Sequence, residues 1–325
     1  MPTIKDVALK AGVSVTTVSR VLNNRGYLSE ELKKKVYSAM EQLNYRPNEL
    51  ARSLSRSKSN IIGLIVPHAA HPFFGELISH IEEHAYLHGY RLLLCNSHLN
   101  RQKEAEYIDM LRSSRVDGII LGSHTLEVED YRQIHLPVVT FDRRISAEVP
   151  YICSDNYKGG ELATNLLADK GCRKIAHISG HPHPDLLALK RLDAFKEIAA
   201  QRGLQHIEMH TDLHGFHFTE YERLTERLLA EHPDVDGIFA SSDIIAAYAL
   251  KVCQVRGRRV PQDIKIVGYD GISLRGVFSP DLTTVSQPIA EMGQKAVDLI
   301  MAQVQGDTVP VENIFPVQLI QGGTT

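Results

Sequence analysis

No run of about eighteen apolar residues occurs in this 325-residue chain, and its N-terminus lacks the basic, apolar and small-residue segments of a secretory signal. A membrane-spanning helix is excluded on that pattern, and the cytoplasm is the expected location. Cysteine is scarce: Cys95, Cys153, Cys172 and Cys253 lie far apart without a Cys-x-x-Cys pair, which excludes a disulfide framework and a zinc ribbon and predicts reduced core thiols. Low-complexity segments are missing. So are His-Glu-x-x-His, Gly-x-Ser-x-Gly and a glycine-rich phosphate loop, so the chain is not expected to be an enzyme and no cofactor is expected. His210, His214 and His217 with Asp212 match no standard zinc spacing; a solvent-facing loop accounts for them, and no metal is expected.

What is present is the composition of a globular protein, 43% hydrophobic, 23% charged and 6% aromatic, in a chain long enough for a small module and a larger two-lobed body. The net charge of −3 conceals an asymmetry. Residues 1–60 hold eleven Lys/Arg against five Asp/Glu, and the remainder holds 25 against 34. A basic head on an acidic body implies a polyanion partner for the head alone.

Near the N-terminus, Ile4, Val7, Ala8 and Ala11 fall at helical spacing, as do Val18, Val21 and Leu22. Gly12 suits the turn between the two helices, and Ser14 is placed to cap the second by accepting a backbone N–H. A third helix is predicted after Ser29, with Glu30 and Glu31 complementing its dipole and Val36, Met40 and Leu43 facing inward. The spacing is that of a helix-turn-helix. Pro47 is expected to stop the third helix, and Asn48 to Ser55 to form a separate helix of barely two turns, too short to be stable alone. Such a segment is expected to order only against a partner.

From Ile61 onward short apolar runs alternate with amphipathic segments. Strands are predicted at 61–66, 92–94, 119–121, 138–141, 175–178, 207–209, 238–240 and 264–267, with helices near 158–169, 186–201, 220–231 and 244–256. Repeated βα units give parallel sheets, here in two similar lobes. Open parallel sheets bind ligands beyond the carboxyl ends of their strands. The loops there hold Pro67 to Glu76, Asp142-Arg-Arg, Ser241-Ser-Asp, Gly268-Tyr-Asp-Gly and Leu282 to Pro288. Carboxylates, an amide and aromatics converging on one cleft suit a polyhydroxylated ligand.

Gly12-Val-Ser-Val-Thr-Thr-Val-Ser-Arg-Val-Leu-Asn23 with Leu43-Asn-Tyr-Arg-Pro-Asn-Glu-Leu-Ala-Arg-Ser-Leu54 closely resembles the head of the LacI/GalR repressor family. Val267-Gly-Tyr-Asp270, Pro280 to Pro288 and Phe315 to Ile320 extend the resemblance over essentially the whole chain. It implies a cytoplasmic repressor of mixed class: an all-α helix-turn-helix head (1–46), a hinge helix and linker (47–59), and an α/β periplasmic-binding-protein-like body (60–325). Lobe 1 is expected at about 60–155 and 288–312, lobe 2 at about 156–287 and 313–325. The second helix would enter the major groove of a palindromic operator, with Val15, Thr16 and Arg20 facing base edges and Ser14, Thr17 and Asn23 supporting them or touching the backbone. Ser29, Tyr45 and Asn48 complete the DNA-facing set. In the hinge, Leu54 would wedge into the minor groove and Ala51 would pack at the pair interface.

In the body the resemblance implies a sugar or sugar-phosphate effector. Phe73 or Phe74 would stack on it, Asp142 and Asp270 would accept its hydroxyls, Arg191 would donate and Gln287 would line the floor, with His71 and Ser242 nearby. The familiar asparagine before Asp243 is replaced by Ser242, and Asp243 is also readable as a simple helix cap. Arg143, Arg144, Lys190 and Arg191 either accommodate a phosphate or pair with carboxylates. The motifs His71 to Leu77, Leu94 to Ser97, Phe141-Asp-Arg143 and Ser154 to Gly160 look most similar to the sucrose operon repressors of Gram-positive bacteria. A palindromic operator requires two heads, hence a symmetric homodimer, and no leucine heptad follows Leu319 to make a tetramer. Two other readings remain: a family regulator governed by a phosphoprotein, and a plain sugar-binding protein.

Overall fold

The computed structural model describes residues 2–325 apart from Asn24, 47–57, Gln133, 182–184 and 212–217. The chain divides into two compact units, residues 1–59 and 60–325. Among the described residues no helix is long and apolar enough to cross a membrane.

The first unit is built on α1 (Ile4–Ala11), α2 (Val15–Leu22) and α3 (Glu30–Gln42). Asp6 reaches back to accept from the Thr3 N–H (2.7 Å) and hydroxyl (2.8 Å), which fixes the start of α1. Gly12 ends that helix with φ 68°, a left-handed conformation that suits a residue without a Cβ, and the Val13 N–H returns to the Ala8 carbonyl at 3.0 Å. Ser14 caps α2 by accepting from the Thr17 N–H at 3.0 Å, and Ser29 caps α3 through the Leu32 N–H at 3.3 Å. Val7, Ala8, Val18, Val21, Val36 and Ala39 form the shared core. Proline is not what stops α3: the helix ends at Gln42, where Asn44 turns left-handed at φ 48° and the Tyr45 N–H bonds to the Met40 carbonyl at 2.8 Å. The predicted hinge helix lies outside the described residues.

The second unit contains two six-stranded sheets. In chain order the first lobe supplies β1 (Ile61–Val66), α4 (Pro72–Leu87), β2 (Arg91–Asn96), α5 (Arg101–Ser113), β3 (Gly118–Leu121), α6 (Val128–Arg132), β4 (Val138–Phe141) and β5 (Tyr151–Ser154). The second supplies α7 (Asn156–Asp169), β6 (Lys174–Ser179), α8 (Lys190–Gln201), β7 (Gln205–His210), α9 (Phe218–Glu231), β8 (Gly237–Ala240), α10 (Asp243–Val255), β9 (Lys265–Asp270) and β10 (Thr283–Ser286). The chain then returns to lobe 1 as α11 (Ile289–Gln305) and β11 (Glu312–Phe315), and closes lobe 2 with β12 (Gln318–Ile320). The sheet orders are β11-β5-β4-β3-β1-β2 and β12-β10-β9-β8-β6-β7. All pairs are parallel except β12, which runs antiparallel to β10.

Every predicted strand lies within or beside an observed one, but four strands were not anticipated: β5, β10, β11 and β12. Each has only three or four residues, and β11 and β12 are edge strands with exposed polar positions, so none shows a long apolar run. The lobe boundary expected at 312/313 cuts through β11; residues 312–315 all pair with β5 in the first sheet. The helix expected from 186 is a short 3-10 turn at 187–189 running into α8 at Lys190. The chain thus crosses between lobes three times, at 154–156, 286–289 and 315–318.

The second lobe has one costly core residue. His177 on β6 is fully buried beside the Phe195 and Phe239 rings, with no hydrogen-bond partner for either ring nitrogen among the described residues. Burial disfavours its imidazolium form and lowers the pKa to about 3. A histidine depressed in the folded state stabilises less as pH falls, here through the window from its ordinary 6.5 to about 3. His177→Phe is therefore expected to gain about 2 kcal/mol more stability at pH 5 than at pH 8. Urea denaturation at the two pH values checks this; an equal change at both would refute it.

Candidate DNA-reading face and interlobe cleft

On the head, α2 presents Val15 (40% exposed), Thr16 and Arg20 to the outside. A branched apolar residue left that open is not serving helix packing. Ser14 and Thr17 are joined by their hydroxyls at 2.8 Å. The Asn23 amide donates to the Ser19 carbonyl at 2.9 Å and finishes the helix. Arg20 is held by its Nε–H on the Arg25 carbonyl (3.3 Å), and its guanidinium lies against Gly26, where any Cβ would stand 2.4 Å from Nη2. Glycine at 26 thus makes room for the arginine. Ser29 serves as a cap, and Tyr45 is half-buried against the three-helix core. Asn48, Ala51 and Leu54 lie outside the described residues. Tyr27, 94% exposed in the loop after α2, was not singled out from sequence, because a lone loop tyrosine carries no periodic signal.

In the body, residues from both lobes meet at the carboxyl ends of the strands. Helices α7 and α8 pack so closely that a Cβ on Gly160 would lie 2.4 Å from the Arg191 carbonyl oxygen. This approach sets Asn156, first residue of α7, beside Arg191, second residue of α8. Arg191 Nε–H donates to Asn156 Oδ1 at 2.6 Å and Nη1–H to the Ser241 carbonyl at 2.9 Å, while its guanidinium lies 3.6 Å from the centre of the Tyr269 ring. Asn156 Nδ2–H in turn donates to Asp142 Oδ1 at 3.0 Å. Tyr269 shares a 3.0 Å hydrogen bond with Ser154. An amide, an aromatic face and a carbonyl therefore hold one buried cation in place.

Asp142 follows β4 at φ 52°, and Asp270 ends β9 at φ 111°. The second conformation is rare for any residue with a Cβ, and it is sustained by burial and by Gln287, whose Nε2–H donates to Asp270 Oδ1 at 2.8 Å. Gln287 Oε1 is buried without a hydrogen-bond partner among the described residues, as is Asn96 Oδ1 at the end of β2. Burial raises the Asp142 carboxyl above its usual range, opposed by the Arg191 charge and the Asn156 hydrogen bond. Burial, and then the charge of Asp243, raise Asp270 further. Asp243, raised by its own burial, accepts from the Ile272 N–H (2.9 Å) and the Thr284 hydroxyl (2.5 Å). It ties the loop after β9 to β10, which is a larger role than a helix cap.

The structure separates several sequence candidates. Phe73 is 8% exposed and belongs to the lobe 1 core, and Phe74 beside it is half-buried, the more open of the two rings. His71 is buried at the head of α4, with its ring beside that of Phe74, and burial lowers it to about 4. The Ser242 hydroxyl is used as the cap of α10, accepting from the Ile245 N–H at 3.3 Å. Arg143 is 1% exposed and donates to Asp185 at 3.0 Å and to the Leu126 carbonyl at 3.0 Å; Arg144 faces Glu312 at 3.9 Å. Of the two uses open to these arginines, carboxylate pairing is the one observed. Sequence reading missed Asn156 and Tyr269 as positioning groups; both stand inside motifs already noticed, but only the close helix pair shows what they hold.

Residues 3–48 match the family described as bacterial regulatory proteins, lacI family, and residues 59–322 match the periplasmic binding proteins and sugar binding domain of LacI family. The chain belongs to the LacI family. It is a transcriptional repressor of that family, with a DNA-binding domain ahead of a domain of the sugar-binding type. The ribose operon repressor of Halalkalibacterium halodurans is 42% identical over 100% of this chain and 97% of that protein. The sucrose operon repressor of Pediococcus pentosaceus is 40% identical over 99% of each. Among solved structures, the lac repressor dimer bound to operator and the anti-inducer ONPF is 27% identical, with a TM-score of 0.88 over 100% of this chain and 99% of that one. Kinship to sucrose repressors thus stands beside equal kinship to a ribose repressor, and the LacI-family assignment leaves the effector open.

Proposed function

We propose that this LacI-family chain is a homodimeric repressor of a carbohydrate-utilisation operon, released from a palindromic operator when an uncharged sugar fills the interlobe cleft. The observation that carries the reading is the convergence of Arg191, Asn156, Asp142, Asp270 and Gln287 at the strand ends. A sugar hydroxyl both donates and accepts. It is matched by carboxylate acceptors, by a guanidinium donor and by the buried Gln287 Oε1, an acceptor left over by the described residues.

The charge balance favours a neutral ligand over a phosphorylated one. Asp142 and Asp270 lie in the field of Arg191 and Asp243 in that of Arg275, and Arg143 is already committed to Asp185. A phosphate would enter against the carboxylates, and the Arg191 fork that would receive it already has its Nε and Nη1 hydrogen-bonded. Sucrose and ribose are the first candidates, each the namesake of a relative's operon. Calorimetric titration of the full chain with sucrose, fructose, ribose and their phosphates tests this. A neutral sugar is expected to bind at least about tenfold more tightly than its phosphate, a difference of about 1.4 kcal/mol. Preference for the phosphate would overturn the neutral-ligand reading, and flat heats for every sugar would favour a phosphoprotein partner.

A further inference from the structure

Away from the cleft, the last turns of α4 carry a chemistry that the effector reading does not use. His80, His84 and His88 recur every four residues and so line one face of the helix. That face lies along α11. A Cβ on Gly293 would stand only 3.1 Å from the His80 Cβ, so the glycine lets the two helices come close. Further along, Asp298 on α11 meets His84, with Oδ1 2.8 Å from Nε2. Among the described residues, His84, His88 and Asp298 offer donor atoms that all lie within 4.8 Å of one another.

Two features go beyond an ordinary surface ion pair. His88 Nδ1–H donates to the His84 carbonyl at 2.9 Å, which fixes the tautomer and leaves the Nε2 lone pair free to bind. Histidines that ligate metals characteristically anchor their other ring nitrogen in this way. The His84 and His88 rings are 4.5 Å apart, as two ligands one helical turn apart on a single face should be.

We propose that His84 Nε2, His88 Nε2 and one Asp298 oxygen form a site for a first-row divalent cation, zinc foremost, that clamps the end of α4 to α11. Two imidazoles and a carboxylate suit zinc, nickel or copper and not calcium or magnesium, which take oxygen ligands. Ligand atoms about 2.0 Å from a tetrahedral ion stand about 3.3 Å apart, so His84 and Asp298 have to open by only about half an ångström, with water completing the sphere. On entry the ion takes the place of the His84 Nε2–Asp298 hydrogen bond, with the His84 ring proton carried on Nδ1.

The test uses the untagged full-length chain, stripped with a chelator, dialysed and titrated with zinc chloride in a calorimeter, with cobalt chloride absorption as a second readout. One ion per chain is expected, with a tetrahedral cobalt spectrum and a higher thermal midpoint in zinc. His88→Ala and Asp298→Asn should each weaken binding about tenfold or more and abolish the shift of the midpoint. His88 is exposed, so His88→Ala decides the matter even if Asp298→Asn disturbs the helix contact. Absence of zinc binding overturns the proposal. So does stoichiometric binding that His88→Ala leaves unchanged, because the ion would then sit elsewhere.

Discussion

Arg191→Ala is expected to lower sugar affinity about 100-fold, roughly 3 kcal/mol, while operator binding without sugar persists. The size follows from what the guanidinium holds. It is buried, hydrogen-bonded to Asn156 and to the Ser241 carbonyl and stacked on Tyr269, so its remaining donor edge is fixed before a ligand arrives. Truncation removes a charged donor and also frees Asn156, which orients Asp142. Arg191→Lys should recover little, since a point charge reproduces neither the planar fork nor the stacking. Calorimetry together with a gel-shift titration decides the issue. Sugar affinity within threefold of the parent would refute the assignment, and loss of operator binding without sugar would show a folding defect instead.

Arg20→Ala is expected to weaken operator binding by about 1–3 kcal/mol and to relax preference at one base pair, as removal of a bidentate guanine contact does. In the structure Arg20 is exposed on α2 and steadied by the Arg25 carbonyl over Gly26. Gly26→Ala should share part of the loss, because a Cβ strains the backbone at φ +76° and displaces the resting guanidinium. A panel of operators with single substitutions, read at one fixed salt concentration, separates a base contact from a phosphate contact. Equal weakening on every sequence would make Arg20 a phosphate ligand and overturn the base-reading role.

The head was legible in the sequence because its signals are local. Ser14, Ser29 and Gly12 act within one turn of where they stand, and the apolar stripes of α1 to α3 define their own core. The long buried strands of the body were legible for a similar reason. Strands β5 and β11 were not: Tyr151–Ser154 and Glu312–Phe315 carry polar residues among their four, and they pair with each other across more than 150 residues. The cleft was half legible: Asp142, Arg191, Asp270 and Gln287 stood out as chemistry, whereas Asn156 and Tyr269 matter only through the tight α7–α8 pair and the cation they enclose. Phe73 and Phe74 show the limit of sequence reading. Adjacent positions on a helix point about 100° apart, and only packing tells which one faces inward.

The three lobe crossings restrict how the body can move. Each strap is only a few residues long, Ile272 of lobe 2 packs into the lobe 1 core, and the Ser273 N–H and hydroxyl donate to Glu76 across the lobes, so there is little slack for sliding. Three short straps would leave rotation about their line as the freest relative motion. Asn156 sits on that axis and also grips Arg191 and Asp142. A molecule seated there would bear on the pivot, where a small displacement would become a wide swing at the far rim.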